Sequence, residues 1–310
     1  MSSPSRPRDE GRALQLVYYA YVAGSAVARW LPERVAYGAA RIFGRFAARL
    51  LKSKRAVVER NLARITGAPA GSPEVQELVV KAFQSYARYW LETFRLVRED
   101  SEFFRDRFRC ETEHRLWASV GDGRGAIAAV GHLGNWDAAG AWVGATGFNL
   151  VTVAEVLRPR RMFDFFVDHR SRLGMTIFPA EKGVTTRLRD AAEDGAVVAI
   201  LADRDLKGTG PMVTFFGEEV SFPAGAASIA LAADLPLHVA GVWGVTLPDG
   251  RRGWEAEISE LIPRPQAAGE EGLREMMQSV ANKLEEYVAR RPEEWHACFQ
   301  RFWPSDRAST

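Results

Sequence analysis

Short apolar segments alternate with segments of helical periodicity between residues 125 and 260. Apolar runs of four or five residues predict buried strands, and the amphipathic stretches between them predict helices. This alternation favours right-handed crossovers and a largely parallel sheet flanked by helices, so the sequence predicts an α/β fold. The expected strands are Ala126–Val130, Leu150–Val153, Met175–Phe178 and Val197–Leu201, followed by a long loop, a helix at Ala224–Ala233 and a hairpin of Leu237–Val245 and Trp254–Ile258.

The amino-terminal part, residues 11–66, predicts two or three helices with a break at Leu31-Pro32. The second helix has a basic stripe and an apolar stripe, formed by Arg41, Arg45, Arg49 and Lys52 on one face and by Ile42, Phe43, Phe46 and Leu50 on another. A basic amphipathic helix suits an anionic membrane surface, at about 1 kcal/mol per cation near that surface. The aromatic face could instead pack on the core and leave the arginines in solvent.

Charge supports the first interpretation, because residues 1–64 hold 13 of the 41 lysine and arginine residues but only 4 of the 39 acidic ones. This imbalance predicts an anionic surface as a partner, and no nucleic-acid partner is predicted. The most apolar run has 16 uncharged residues between Arg12 and Arg29, fewer than the roughly 20 needed to cross a bilayer. We therefore expect a peripheral or monotopic protein.

No linker rich in glycine, serine or proline divides the chain after residue 70, so we expect one domain over residues 11–310, preceded by a disordered tail at 1–10. Cys110 and Cys298 have no zinc-type spacing, and they predict neither a disulfide framework nor a structural zinc.

The segment Gly125–Val143, GAIAAVGHLGNWDAAGAWV, carries the strongest candidate chemistry. His132 follows a predicted strand, and Asp137 lies in the first turn of the next helix, so both can face the carboxyl edge of the sheet. A carboxylate near Nδ1 would orient the imidazole and leave Nε2 free to take a proton from a substrate hydroxyl. The simpler interpretation is a tight strand–turn–helix unit in which Asn135 or Asp137 is the N-cap.

His-x4-Asp after an apolar strand resembles the signature of the glycerolipid acyltransferase superfamily. The text GHLGNWDAAGAW followed by TVAEVLRP is most similar to the actinobacterial phosphatidylinositol mannoside acyltransferases, relatives of the lipid A late acyltransferases. The similarity extends from about Arg60 to Trp303. It implies transfer of a long-chain acyl group from acyl-coenzyme A to a mannose hydroxyl at the cytoplasmic face of the membrane, a catalytic core within residues 125–260, and no cofactor beyond the donor.

The resemblance also implies roles for Glu155 and Arg170. Glu155 follows the predicted strand next to that of His132 and belongs to the active-site neighbourhood in the resembling enzymes, although it could simply be an acid at a helix start. Arg170 matches a family arginine that would meet phosphate or the acyl donor. A lone arginine on a helix is, however, commonly solvated.

The segment Leu201–Leu206, LADRDL, follows another predicted strand. The resembling enzymes tend to have Glu-Arg-Asp here, which implies a catalytic role for Asp203, one methylene shorter, and substrate binding by Arg204 and Asp205. Thr209 corresponds to a small hydroxyl that would donate to the thioester donor. An Asp-x-Asp pair can also hold a divalent metal, which keeps a metal-dependent glycosyltransferase open although no metal site is predicted.

In the mechanism that we expect, His132 is the general base and Asp137 orients it. Backbone amides at the glycine turn or at the helix start after Phe222-Pro223 stabilise the oxyanion. No acyl-enzyme is expected because Gly-x-Ser-x-Gly is absent, and Trp295-His296 is expected to be structural. The alternatives are acylation of another glycolipid or a lysophospholipid, the glycosyltransferase, and a lipid-binding protein without enzymatic activity.

Overall fold

The computed structural model describes residues 12–120, 123–205 and 208–307, so the predicted tail at 1–10 lies outside the described residues. The α-helices of the amino-terminal half are α1 (Arg12–Trp30), α2 (Glu33–Leu50), α3 (Lys52–Thr66), α4 (Pro73–Leu96), α5 (Ser101–Arg107), α6 (Glu113–Ser119) and α7 (Trp136–Ala145). They are followed by α8 (Arg160–Arg172), α9 (Val184–Glu193), α10 (Gly225–Ala233), α11 (Gly269–Arg290) and α12 (Pro304–Arg307). Two short 3-10 turns, Pro292–Glu294 and His296–Phe299, lie between the last two helices.

A central sheet of seven strands organises the described residues. Its strands are β1 (Phe108–Arg109), β2 (Ala126–Val130), β3 (Leu150–Ala154), β4 (Met175–Pro179), β5 (Val197–Leu201), β8 (Leu237–Thr246) and β9 (Arg252–Ile258), and a separate hairpin consists of β6 (Met212–Phe215) and β7 (Glu218–Ser221). The order across the sheet is β1-β9-β8-β2-β5-β3-β4, and the β8–β9 pair alone is antiparallel within it. The predicted α/β class with a largely parallel sheet is confirmed.

Hydrophobic side chains cover both faces of this sheet, because β-strand residues alternate between its faces. On β2, Ile127 and Ala129 belong to the core that packs against α9, α10 and α11, whereas Ala126 belongs to the core that includes α5 and α7. Helices on both faces are typical of a parallel sheet whose strands are connected by crossovers. The carboxyl ends of β2, β3 and β5 consequently meet at one edge.

Two details of the predicted topology are wrong. β3 is not next to β2, because β5 lies between them and pairs in parallel with both. The long loop expected before α10 contains the β6–β7 hairpin. Its strands have only four residues each, and positive φ angles at Phe216 and Gly217 allow the tight turn between them.

The predicted amino-terminal helices and the break between α1 and α2 are confirmed. α2 packs on α4 through Ala36, Gly44 and Ala48, and a Cβ at Gly44 would lie 2.6 Å from the Cα of Gln84. The opposite side of α2 is exposed, and the Phe43 side chain is 67% exposed. The interpretation that this aromatic face packs on the core is therefore wrong. No helix in the described part of the chain is both long and apolar enough to cross a bilayer.

Candidate active site

Two parallel neighbours, β2 and β5, bring His132 and Asp203 together at the carboxyl edge of the sheet. Val130 pairs with Leu201 at the strand ends, so the residues two positions further along each chain meet above the edge. His132 Nδ1 lies 2.6 Å from Asp203 Oδ1, and the His132 backbone N–H donates to Asp203 Oδ2 at 2.8 Å. His132 is partly exposed, whereas the Asp203 side chain is 1% exposed. Nδ1 therefore carries the proton that Asp203 accepts, and the lone pair is on Nε2.

Asp203 is held as a carboxylate in a fully buried position. Burial alone would raise its pKa, but the charge and hydrogen bonds of His132, with a further hydrogen bond from Trp295, hold the pKa of Asp203 below its ordinary value. Trp295 Nε1 donates to Oδ2 at 2.8 Å, and this indole is completely buried. Trp295, which the sequence presents as structural, thus positions the acid that supports His132.

Asp137 does not contact His132, and the predicted orienting hydrogen bond between them is wrong. Its carboxylate accepts from Arg170 Nε at 2.7 Å and from the Tyr89 hydroxyl at 3.2 Å, and it is almost completely buried. Burial would raise the pKa of Asp137, but the Arg170 guanidinium outweighs that effect and lowers it. Asp137 is the second residue of α7, and its side chain points toward α4 and α8 rather than toward the end of β2.

The carboxyl-terminal segment fixes the backbone around His132. The His296 N–H donates to the His132 carbonyl at 2.7 Å, and the Gly134 N–H donates to the Glu294 carbonyl at 3.0 Å. Gly134 has a φ of 59° and lies so close to the Val242 carbonyl that a Cβ there would clash. Asn135 then begins α7 as its N-cap, accepting from the Ala138 N–H at 3.0 Å, as one of the two interpretations expects.

An apolar cavity lies between α7 and the sheet, and Val130 and Trp136, which flank the His132 turn, are in its wall. Its volume is about 100 Å³, and its lining includes Ala128, Trp136, Gly140, Ala199 and Val242. The Trp136 ring also meets the His132 ring edge-on, with centroids 5.2 Å apart. The Asp137–Arg170 ion pair borders the same cavity. The Trp136 ring therefore contacts the His132 ring and also lines the apolar cavity.

The other predicted site residues lie away from this pairing. Glu155 is exposed beyond β3, and Thr209 is exposed in the glycine loop. Asp205 Oδ2 accepts from the Gly210 N–H at 2.7 Å, which closes that loop. Arg204 and Asp205 line a separate groove of about 220 Å³ with Ser221 and Gln300, away from the His132–Asp203 pair.

Sequence reasoning missed the α4 residues that contact Asp137 and the N-cap of α7. Tyr89 and Thr93, on α4, approach the Asp137 carboxylate although they lie 48 and 44 residues earlier in the chain. Glu92, on the same helix, accepts from Asn135 Nδ2 at 2.9 Å and so supports the N-cap of α7. The local sequence of α4 gives no signal that connects this helix to the His132 loop.

Comparison with known proteins gives a consistent result. The family model described as bacterial lipid A biosynthesis acyltransferase matches residues 8–303. The chain is 32% identical over 296 residues to the phosphatidylinositol mannoside acyltransferase of Mycolicibacterium smegmatis, covering 94% of this chain and 93% of that protein. It is 33% identical over 298 residues to the phosphatidylinositol mannoside acyltransferase of Mycobacterium tuberculosis strain H37Rv, covering 93% and 89% respectively.

Proposed function

Since this chain belongs to the bacterial lipid A biosynthesis acyltransferase family and is an acyltransferase, we propose that it moves a long-chain fatty acyl group from acyl-coenzyme A to a mannose hydroxyl of a phosphatidylinositol mannoside. The observation that carries the proposal is the His132–Asp203 pair, which leaves Nε2 available beside an apolar cavity. The names of the similar mycobacterial proteins support the choice of acceptor.

His132 Nε2 is the general base for the acceptor hydroxyl. As Nε2 takes the hydroxyl proton, the ring becomes an imidazolium, and the buried Asp203 carboxylate stabilises that positive charge. Trp295 and the His132 backbone hold the second carboxylate oxygen, so Oδ1 stays directed at Nδ1. The sequence presents Asp137 as the acid that orients His132. In the structure Asp137 instead forms an ion pair with Arg170 at the first turn of α7.

The acyl group passes directly from donor to acceptor. Cys298 is completely buried, and burial raises the pKa of its thiol, which disfavours the nucleophilic thiolate. Ser85 Oγ lies 3.0 Å from His296 Nε2, but both side chains are buried and no carboxylate among the described residues pairs with His296 Nδ1. That pair therefore lacks the third member of a nucleophilic triad.

The acyl chain occupies the apolar cavity that Trp136 lines. Its wall is almost entirely apolar, and burying methylene groups there contributes about 0.8 kcal/mol each. A cavity of about 100 Å³ is smaller than one that holds a benzene ring, so a long chain must displace some of the lining side chains. Met175 packs directly against Gly140 in the cavity wall, and the unbranched methionine can adapt to the ligand.

α2 holds the protein on the membrane that contains the acceptor lipid. Its exposed side chains Ile42, Phe43, Phe46 and Leu50 form an apolar stripe that can enter the interfacial region of a bilayer. Arg45, Arg49 and Lys52 border that stripe, and none of them forms a hydrogen bond or ion pair with another described residue. Unpaired cations beside an apolar stripe suit an anionic leaflet, and we propose the cytoplasmic face of the cell membrane as its location.

The alternatives with a different chemistry are less well supported. The family assignment disfavours both the glycosyltransferase and the lipid-binding protein without activity. The Asp203 carboxylate also accepts three N–H donors, two from His132 and one from Trp295, which occupies the oxygens that a metal would need. Another glycolipid or a lysophospholipid as acceptor remains the alternative that the transfer assay decides.

Transfer of radiolabelled palmitate from palmitoyl-coenzyme A to purified phosphatidylinositol mannosides tests the proposal. The wild type should label the mannoside, and His132→Ala should not while keeping its melting temperature. Labelling of lysophospholipid but not of the mannoside would identify a lysophospholipid as the acceptor. Retained turnover in His132→Ala would overturn the assignment of the base.

A further inference from the structure

The indole N–H of Trp136 is a buried donor that has no acceptor among the described residues. Its ring stacks on Tyr89 with centroids 4.3 Å apart, meets His132 edge-on at 5.2 Å, and lines the apolar cavity. Buried donors in native structures are almost always paired, so an unpaired one beside a reaction centre needs an explanation. A bound ligand that supplies the missing acceptor would explain it.

Two backbone amides of the glycine turn, one of the places that the sequence suggests for stabilising the oxyanion, are already engaged. The His132 N–H donates to Asp203 Oδ2 at 2.8 Å, and the Gly134 N–H donates to the Glu294 carbonyl at 3.0 Å. At the start of α7, the Ala138 N–H donates to Asn135 Oδ1 at 3.0 Å. These amides hold the loop in shape, so a substrate oxygen would have to displace a structural hydrogen bond to use them.

We propose that Trp136 Nε1–H is a catalytic hydrogen-bond donor to the oxyanion of the acyl-transfer reaction, which rests on the proposed function of the His132 site. With the acyl chain in the cavity, the thioester carbonyl lies at the cavity mouth beside the Trp136 indole, which lines the cavity and meets the His132 imidazole edge-on. An N–H in a water-excluded wall stabilises charge that develops on the substrate more strongly than the same group in water.

The acyl transfer forms one bond to the carbonyl carbon before it breaks another. The acceptor oxygen forms a bond to the thioester carbonyl carbon while His132 Nε2 takes the hydroxyl proton. The π electron pair of the carbonyl moves onto its oxygen, which accepts from Trp136 Nε1–H. When the carbonyl re-forms, the carbon–sulfur bond breaks, the electron pair leaves on sulfur, and the imidazolium returns the proton to give the free thiol and the ester.

Trp136→Phe tests this role, because it removes the N–H and keeps an aromatic ring against Tyr89. Steady-state transfer from palmitoyl-coenzyme A to phosphatidylinositol mannoside should show a kcat lower by about a hundredfold, the usual effect of losing one oxyanion donor, with little change in KM. Thioester hydrolysis that depends on His132 is measured in parallel and should fall by a similar factor.

Trp243→Phe is the matched control. The Trp243 indole N–H is also buried without a partner among the described residues, but its ring packs on Tyr287 rather than on His132. Its kcat should equal that of the wild type. Because a smaller ring at position 136 can destabilise the fold, benzothienylalanine at that position, which replaces N–H by sulfur in a ring of the same shape, should reproduce the loss of kcat at an unchanged melting temperature.

A kcat within twofold of the wild type in folded Trp136→Phe, or in the benzothienylalanine protein, would overturn the role of Trp136 and leave the proposed function in place. If the wild type showed neither transfer nor thioester hydrolysis dependent on His132, the proposed function and this inference would fall together.

Discussion

Asp203 accepts two hydrogen bonds from His132, one at each carboxylate oxygen. The ring Nδ1 reaches Oδ1 at 2.6 Å and the backbone N–H reaches Oδ2 at 2.8 Å. A carboxylate that holds the ring and the backbone of the same residue restricts both the position and the rotation of the imidazole. The pairing of β2 with β5 brings these residues together across 71 positions of sequence.

Removing the Asp137 charge should lower the free energy of unfolding rather than act directly on the acyl-transfer step. In Asp137→Asn the Arg170 guanidinium loses the anion that it contacts at 2.7 Å, and breaking one partner of a buried pair typically costs about 3–5 kcal/mol. Urea unfolding should show a decrease of that order. The double variant Asp137→Asn/Arg170→Met, which removes both charges, should recover part of the loss. If Asp137→Asn loses activity with unchanged stability, Asp137 acts in catalysis.

Filling the apolar cavity should weaken transfer of long chains selectively. Ala128 lies on β2 in the cavity wall and is buried, so Ala128→Leu places three more carbon atoms where the acyl chain is proposed to lie. The kcat/KM for palmitoyl-coenzyme A should fall at least tenfold more than that for a short-chain thioester. The melting temperature should not fall in parallel, because the added side chain occupies existing space. Equal loss for both donors would place the chain elsewhere.

The exposed phenylalanines of α2 should anchor the protein on membranes. Phe43→Ser/Phe46→Ser should reduce partitioning onto vesicles of anionic phospholipid by about tenfold per residue, through lost apolar burial. The fold should remain intact because both side chains are exposed in the protein.

Met212→Ser/Leu261→Ser provides the matched control, since these apolar side chains are exposed on other elements. Partitioning of this variant should equal that of the wild type. Equal binding by the two double variants would contradict the orientation of α2. Binding of the wild type should also weaken as salt rises, because Arg45, Arg49 and Lys52 have no acidic partner among the residues that the structure describes.

Protonation of His296 should destabilise the fold below neutral pH. Burial, with the nearby charges of Arg88 and His132, holds the pKa of His296 well below 6.5, so the folded protein keeps it neutral. Below about pH 6.5 the unfolded chain binds a proton that the folded one does not, and stability therefore falls as pH decreases. The loss from this residue is at most about 1.4 kcal/mol per pH unit. His296→Gln should show a smaller difference in unfolding free energy between pH 7 and pH 5 than the wild type; an unchanged difference would contradict this account.

Much of the architecture follows from local pattern. β2 and β5 have the predicted bounds, and β3, β4, β8, β9 and α10 differ from their predicted ends by one or two residues. The β6–β7 hairpin was missed because strands of four residues give little periodicity, and α6 was missed because its sequence, EHRLWAS, is largely polar. Such short elements are stabilised by their neighbours more than by their own sequence.

The site residues were easier to predict than their partners. His132 and Asp203 each follow an apolar strand, which is where ligands of a parallel sheet collect. Their pairing depends on β5 lying next to β2, and the local sequence of neither strand specifies the other as its neighbour. The short spacing of His132 and Asp137 suggested a contact instead, but the direction of α7 carries Asp137 toward Tyr89 and Arg170.

The most direct test of the account is the kcat of Asp203→Asn in the palmitoyl transfer assay, measured beside Asp203→Glu and Asp137→Asn. Asparagine keeps the shape of the side chain and removes the charge that supports the imidazolium, so kcat should fall about a thousandfold or more at an unchanged KM. Glutamate restores the charge and should recover most of that activity. Wild-type turnover by Asp203→Asn, with turnover abolished in a fully folded Asp137→Asn, would contradict the assignment of Asp203 as the partner of His132.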